Sequence, residues 1–251
     1  MMHRVCFMPR DMKVCIIRFR MLPKTPTRIS PYAKACLETL TQRGLGRYIS
    51  IGGAFGLSYF MEYRPTHDID AWWIEPVTKE QRQEVIHALE QALKAFGETR
   101  LREWGDVVSI ELVLEGKVAF SFQIAKRSAR LAEPLLAPWP SGAQVDSLPD
   151  LVASKMVALV ERGAPRDFRD IYQLCTSGLV KINQCWELWQ KRQRLANENA
   201  DLARAKIAIR THLTRIELSR PLDLIPDPDQ RQQAALVRQW YQEEFLQDDS
   251  D

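Results

Sequence analysis

The sequence predicts an α+β protein: a small mixed-sheet unit followed by a helical domain. Three observations carry that prediction. Residues 48–124 hold four short runs rich in β-branched and aromatic residues, two of them joined by the tight Glu115-Gly116 link. A loop with three prolines spans Pro134 to Pro140. Beyond it, apolar residues return at helical spacing to the end of the chain.

Taken in order, residues 31–43 have a helical period, and residues 48–51 form a β-prone run that ends in Gly52-Gly53. A short helix follows over 54–61, and DIDAWWI at 68–74 alternates as a strand. Thr78 suits an N-cap for a long amphipathic helix to residue 96. Residues 107–114 and 117–124 make a hairpin. Helical patterns then occupy 148–162, 165–175, 182–194, 201–220 and 230–246, punctuated by Gly163, Gly178 and Pro226-Asp227-Pro228. The expected division is a basic N-terminal extension (1–30), an α/β domain (31–140) and a helical domain (141–251).

At 251 residues and 45% hydrophobic content the chain can bury a real core, which excludes disorder, collagen and a small disulfide scaffold. Its net charge of +3 is too small to mark a protein that coats nucleic acid. The charge is unevenly placed. Residues 1–30 hold seven basic residues and one acidic (+6), whereas residues 221–251 hold two against eight (−6). Such ends fit either a basic arm for a polyanion with an acidic tail, or two solvated termini. Cys6, Cys15, Cys36, Cys175 and Cys185 lack CxxC or paired-His spacing, so neither zinc nor a disulfide framework is suggested and a cytoplasmic location is expected. Charges from Arg4 to Arg20 interrupt every apolar run at the N-terminus, leaving no signal peptide and no membrane span. Met21 is a second candidate start.

The strongest chemical signal is Gly52-Gly53 followed by Asp68 and Asp70. On a strand these two carboxylates share one face, about 6 to 7 Å apart, and repel unless a cation lies between them. Mg²⁺ bound through one or two carboxylates plus substrate phosphates suits such a pair. The glycines let phosphates approach the backbone, and a helix N-terminus receives their charge. The plainer alternative, an acidic edge strand facing water, sits poorly with the apolar Trp72, Trp73 and Ile74 that continue the run. Lys155 falls within the apolar stripe Leu148, Leu151, Val152, Met156, Leu159 and Val160, with Arg162 one heptad on. It either snorkels along the core edge or meets a phosphate as a point charge. Pro165 suits the first helical position, which puts Asp167 in the first turn and Asp170 beside it on the same face. Capping is the ordinary role for such a first-turn acid.

GGAFGLSYFMEYRPTHDID, followed some 80 residues later by LPDLVASKMVALVERGAPRDFRDIYQL, resembles the AbiEii/AbiGii nucleotidyltransferase-like toxins of the DNA polymerase beta superfamily. The match runs from about Tyr48 to Leu174. It implies a nucleotidyltransferase domain followed by a helical domain that closes over an NTP. Asp68 and Asp70 match the metal carboxylates for Mg²⁺ (or Mn²⁺), Gly52 and Gly53 the phosphate turn, and Lys155 the triphosphate lysine. Arg64 and Thr66 match the Arg and Ser before the acidic pair, and Arg166, Asp167 and Asp170 the RDxxD block, with Asp167 expected in catalysis and Arg162 on the triphosphate. The third carboxylate of related polymerases is replaced by Gln123, unless Glu111 is turned toward the site. The implied activity is transfer of an NMP to an acceptor hydroxyl, with the RNA or tRNA 3′ end as acceptor and a cognate antitoxin as partner. Residues 186–220, with eight basic and four acidic residues beside Trp186 and Trp189, suit an RNA-contacting helical face. Alternatives are a small-molecule or protein acceptor, or a member that binds nucleotide or RNA without turnover.

Overall fold

The computed structural model describes residues 21–247, so most of the basic head and the last four residues of the acidic end lie outside the described residues. Helix α1 (Pro31–Gln42) starts where its sequence dictates: Ser30 accepts from the Ala33 N–H, and Pro31, which has no N–H to leave unpaired, takes the first turn. After it come β1 (Ile49–Ile51), the short α2 (Gly53–Ser58) and β2 (Ile69–Trp73). Helix α3 (Lys79–Lys94) opens on a capping box, in which Thr78 and Gln81 each satisfy the other's backbone N–H.

Strands β3 (Glu98–Trp104), β4 (Val107–Leu114) and β5 (Lys117–Ala125) form a meander, and the two-residue strands β6 (Leu135–Leu136) and β7 (Gln144–Val145) complete a seven-stranded mixed sheet of order β3-β4-β5-β2-β1-β7-β6. The β4–β5 turn takes positive φ at Glu115 and Gly116, a geometry whose twist suits a hairpin. Strand β2 lies at the centre, antiparallel to β1 and parallel to β5, with Asp70 in register with Gln123. Its alternate residues Ile69, Ala71 and Trp73 face the first hydrophobic cluster with Ile51, Leu89, Phe120 and Phe122. Asp68, Asp70 and Trp72 are thereby forced onto the other side.

Strand β3 was not expected from the sequence. Its charged, mostly exposed residues bury almost nothing, so no apolar alternation announces it; it is an edge strand held by pairing to β4. The two strands in the region read as a proline loop are two residues each, too short for any periodicity.

Helices α4 (Leu148–Glu161), α5 (Pro165–Thr176), α6 (Ile182–Leu195), α7 (Leu202–Ser219) and α8 (Pro228–Trp240), with a π turn at Tyr241–Phe245, follow as patterned. They enclose a second cluster around Leu151, Met156, Phe168, Ile171, Ile209 and Tyr241, and Phe60 packs against both clusters. One expectation is corrected here. Trp186 and Trp189 are only 7% and 2% exposed, so they are core residues and cannot stack on RNA bases. Arg192 of the same stretch is also buried, beside Asp150.

Candidate active site

The chain leaves β1 at Ile51, and the Gly52 N–H is held by the Asp70 carbonyl at 2.7 Å. Gly53 then takes φ +58, where side chains are strained, and a Cβ there would overlap the Asp70 carboxylate. This turn therefore needs glycine twice over. It delivers the chain into α2, whose N-terminus has no side-chain cap, directly beside the acidic strand.

Asp68 and Asp70 both remain open to solvent. The Asp68 Oδ1 accepts from the Ser121 N–H and hydroxyl, each at 3.0 Å, and Oδ2 accepts no hydrogen bond among the described residues. The Asp70 carboxylate accepts no hydrogen bond among the described residues. Although water reaches it, Asp70 is crowded by surrounding protein, and this desolvation raises its pKa. Lys155, Arg166 and Arg162 pull the other way, while the charge of Asp68 adds to the rise. These groups therefore surround a single carboxylate.

The cations come from the helical half. Ser147 caps α4 and accepts from the Asp150 N–H, so Lys155 emerges two turns later, 8% exposed, with its Nζ 2.6 Å from Asp170. Asp170 is fully buried and also accepts from the Tyr63 hydroxyl at 2.6 Å and from Arg64 at 3.0 and 3.2 Å. Its burial alone would raise the pKa, but Lys155 and Arg64 overcome that and hold it below the usual value. Asp167 is equally buried. It binds Arg162 through two bonds of 2.8 Å and accepts from the Ala164 N–H at 3.1 Å. The same contact, with Asp70 and Asp170 nearby, raises the Arg162 pKa. Arg166 is exposed, with no ion pair among the described residues, and Thr66 is half-buried on the approach to β2.

The structure thus gathers Gly52, Gly53, Asp68, Asp70, Lys155, Arg162, Arg166, Asp167 and Asp170 around one cleft, with Arg64 behind it. Asp167, expected to act in catalysis, has its oxygens enclosed and occupied. Glu111 lies in register with Ser121, but its carboxylate is turned to Arg100 and Arg102 at 3.9 and 3.7 Å. No cluster of three metal-binding side chains occurs among the described residues. A cation held here would have two protein carboxylates, which is what Mg²⁺ accepts when phosphates and water complete its shell.

Tyr63, Ser121 and a buried network behind the glycine turn were missed. In that network Asp146 accepts from Ser50 at 2.7 Å and contacts Arg127, which also reaches Asp150 at 3.3 Å and lies over the Trp72 ring at 4.9 Å. Partners separated by 19 to 107 positions leave no local signal.

Moving a nucleotidyl group requires carboxylates free for a cation and fixed positive groups for a triphosphate. This cleft opposes the two across a glycine turn, and the protein is a nucleotidyltransferase. The chain belongs to the AbiEii nucleotidyl transferase toxin family of type IV toxin–antitoxin systems, whose model matches residues 35–247. Among solved structures it is similar to JHP933 from Helicobacter pylori (13% identity, 85% of this chain and 90% of that one, TM-score 0.46). It is also similar to the Megavirus polyadenylate synthase (8% identity, 88% of this chain and 51% of that one, TM-score 0.36). No curated protein matches the chain. No helix among the described residues is long and apolar enough to cross a membrane.

Proposed function

We propose that the chain transfers an NMP from an NTP to the 3′-terminal hydroxyl of an RNA, with tRNA the expected acceptor. In this reading it acts in the cytoplasm as the toxin opposed by a cognate antitoxin. The observation that carries it is the pair of open carboxylates, Asp68 and Asp70, facing Lys155, Arg162 and Arg166. Asp68 Oδ2 and the whole Asp70 carboxylate fit a divalent cation, Mg²⁺ or Mn²⁺. Such an ion supplies charge neutralisation and polarisation of the phosphate oxygens.

The chain's own groups do the rest. Lys155, Arg162 and Arg166 bind the triphosphate, and Gly52 and Gly53 let it approach the backbone without side-chain obstruction. Arg64 supports the site from behind through Asp170, and Thr66 lies on the approach to the acidic strand. Asp170 and Asp167 act as positioning residues, because each fixes a cation while its own oxygens are spent. The acceptor oxygen attacks the α-phosphorus, a new P–O bond forms as the bond to the β-phosphate breaks, and pyrophosphate leaves with its charge spread over the basic wall. The hydroxyl proton passes to water, which reaches the cleft. Positioning and electrostatics supply most of the rate in such transfers.

The test incubates the protein with each α-labelled NTP, Mg²⁺ and total RNA, beside Asp70→Asn and Lys155→Met. Labelled RNA from the wild type, reduced about 10²- to 10³-fold in either variant, is expected. Gln123 in register with Asp70 favours one other reading, a protein that binds nucleotide without turnover; NTP binding with no pyrophosphate release establishes it. Pyrophosphate release with unlabelled RNA points instead to a small-molecule or protein acceptor.

A further inference from the structure

Beside the cleft lies a groove of about 1020 Å³ between α5, the end of α7 and α8. Among the described residues five arginines line it, Arg64, Arg166, Arg169, Arg220 and Arg238, and no aspartate or glutamate does. Their charges are largely uncompensated. Among the described residues Arg64 alone has a carboxylate partner, and Arg238 donates to the Arg220 carbonyl at 2.6 Å. The Arg169 Nε is buried with no hydrogen-bond partner among the described residues. Between these arginines the groove is mostly apolar, with Pro221, Ile225 and the 71%-exposed Leu224 among its surfaces beside Ser219, Gln230 and Gln233.

Uncompensated guanidinium groups beside apolar surface recognise an anion that also carries flat apolar groups. A single-stranded nucleic acid is such a ligand: its phosphates take bidentate arginine contacts while its bases lie against apolar or guanidinium planes. The volume slightly exceeds the roughly 300–1,000 Å³ of a single small-molecule site. Position decides between a nucleic acid and an acidic protein segment. Arg166 lines the groove and also acts on Asp70, and Arg64 pairs with Asp170 behind the acidic strand, so the groove runs up to the proposed triphosphate site. Only an acceptor strand has a reason to end there.

We infer that this five-arginine groove binds the single-stranded 3′ end of the acceptor RNA and guides its terminal hydroxyl to the cleft. The inference rests on the RNA-acceptor reading and moves RNA contact from the buried tryptophans of α6 to the α5–α7–α8 groove.

A short fluorescein-labelled single-stranded RNA, titrated by anisotropy against the full chain at several KCl concentrations, tests it. Arg220→Ala removes an exposed guanidinium outside the NTP cleft. Its affinity is expected to fall about fivefold near 0.1 M salt, and the slope of log K against log salt to shrink by ~0.7, the share of one single-strand phosphate contact. Arg220→Lys retains most of the slope, and NTP affinity is unchanged in both, which shows that the fold survives. Wild-type RNA binding that persists unaltered in Arg220→Ala and in Arg169→Gln overturns the groove but leaves the RNA acceptor standing. Preferential competition by an oligoglutamate peptide also overturns it, in favour of an acidic protein partner. Failure of the wild type to label any RNA while it releases pyrophosphate defeats the acceptor reading itself.

Discussion

Replacing Gly53 with alanine separates a backbone cost from a catalytic one. At φ +58 any L side chain is strained, which costs about 1–2 kcal/mol. The new Cβ would overlap one Asp70 oxygen and approach the Asp70 Cβ and Cγ to 2.8 Å. Because the clash includes Cβ, rotating the carboxylate cannot relieve it, and β2 or the turn must shift by something approaching 1 Å. A displacement of that size at a reacting centre costs on the order of 10²-fold in rate. Gly105 supplies the control. It has φ +55, and a Cβ there meets nothing within 4 Å, so Gly105→Ala carries the backbone strain alone. Urea midpoints should fall in both variants, further in Gly53→Ala because of the added clash, whereas pyrophosphate release should fall about 10²-fold only in Gly53→Ala. Equal activities in the two variants would refute the claim that Gly53 is required by Asp70.

Asp170→Asn keeps the shape but removes the charge that holds Lys155 and Arg64; a loss of about 3–5 kcal/mol in urea denaturation is expected, and an unchanged midpoint would show that the pairs are not buried in solution. Tyr63→Phe deletes one hydroxyl to the same carboxylate, and should cost about 1–2 kcal/mol with a weaker NTP affinity, read by the same melt and a nucleotide titration. Asp146 gives a pH signature. Burial pushes its pKa up to about 6, against the opposing pull of Arg127 and Ser50. The folded state then holds this proton more tightly than the unfolded chain, so this group raises stability as pH falls from about 7 to about 4, by up to about 3 kcal/mol. Stability of Asp146→Asn should lack that rise, and parallel pH curves for variant and wild type would contradict the assignment.

What the sequence disclosed follows from the range of the interactions. The acidic pair was legible because alternation on one strand is a local rule, and the helix starts at Pro31, Thr78 and Pro165 because capping is decided within four residues. Lys155 stood out since a charge inside an apolar stripe is a local contradiction. Its partner was not legible: Asp170 read only as a neighbour of Asp167 on the same helix face, whereas folding buries it under Tyr63 and Arg64 from 106 to 107 positions away. The same limit hid Ser121 behind Asp68. Strand β3 escaped for a different reason, because an edge strand rich in charge is stabilised by its ladder and carries no pattern of burial. Trp186 and Trp189 misled because composition places aromatic and basic residues in one stretch without saying which face of α6 each occupies.

The distribution of charge around the cleft explains why its cations are ready before substrate arrives. Lys155 gives one contact to Asp170, and Arg162 gives its Nε and one Nη to Asp167, so each retains donors that its buried partner does not use. Without Asp170 and Asp167, Lys155 and Arg162 would be free to turn toward Asp68 and Asp70 and to fill the space that the proposed cation and phosphates need. The buried carboxylates compete for those cations from behind. They hold positive groups facing the acidic strand at a distance, so donors aimed at developing charge need little reorganisation when it appears. The net charge of only +3 is compatible with a polyanion-handling enzyme on these terms, because the cleft's carboxylates and cations nearly balance each other. What stays uncompensated among the described residues is Arg166 and the groove beyond it, where the proposed RNA acceptor would gain most from contact.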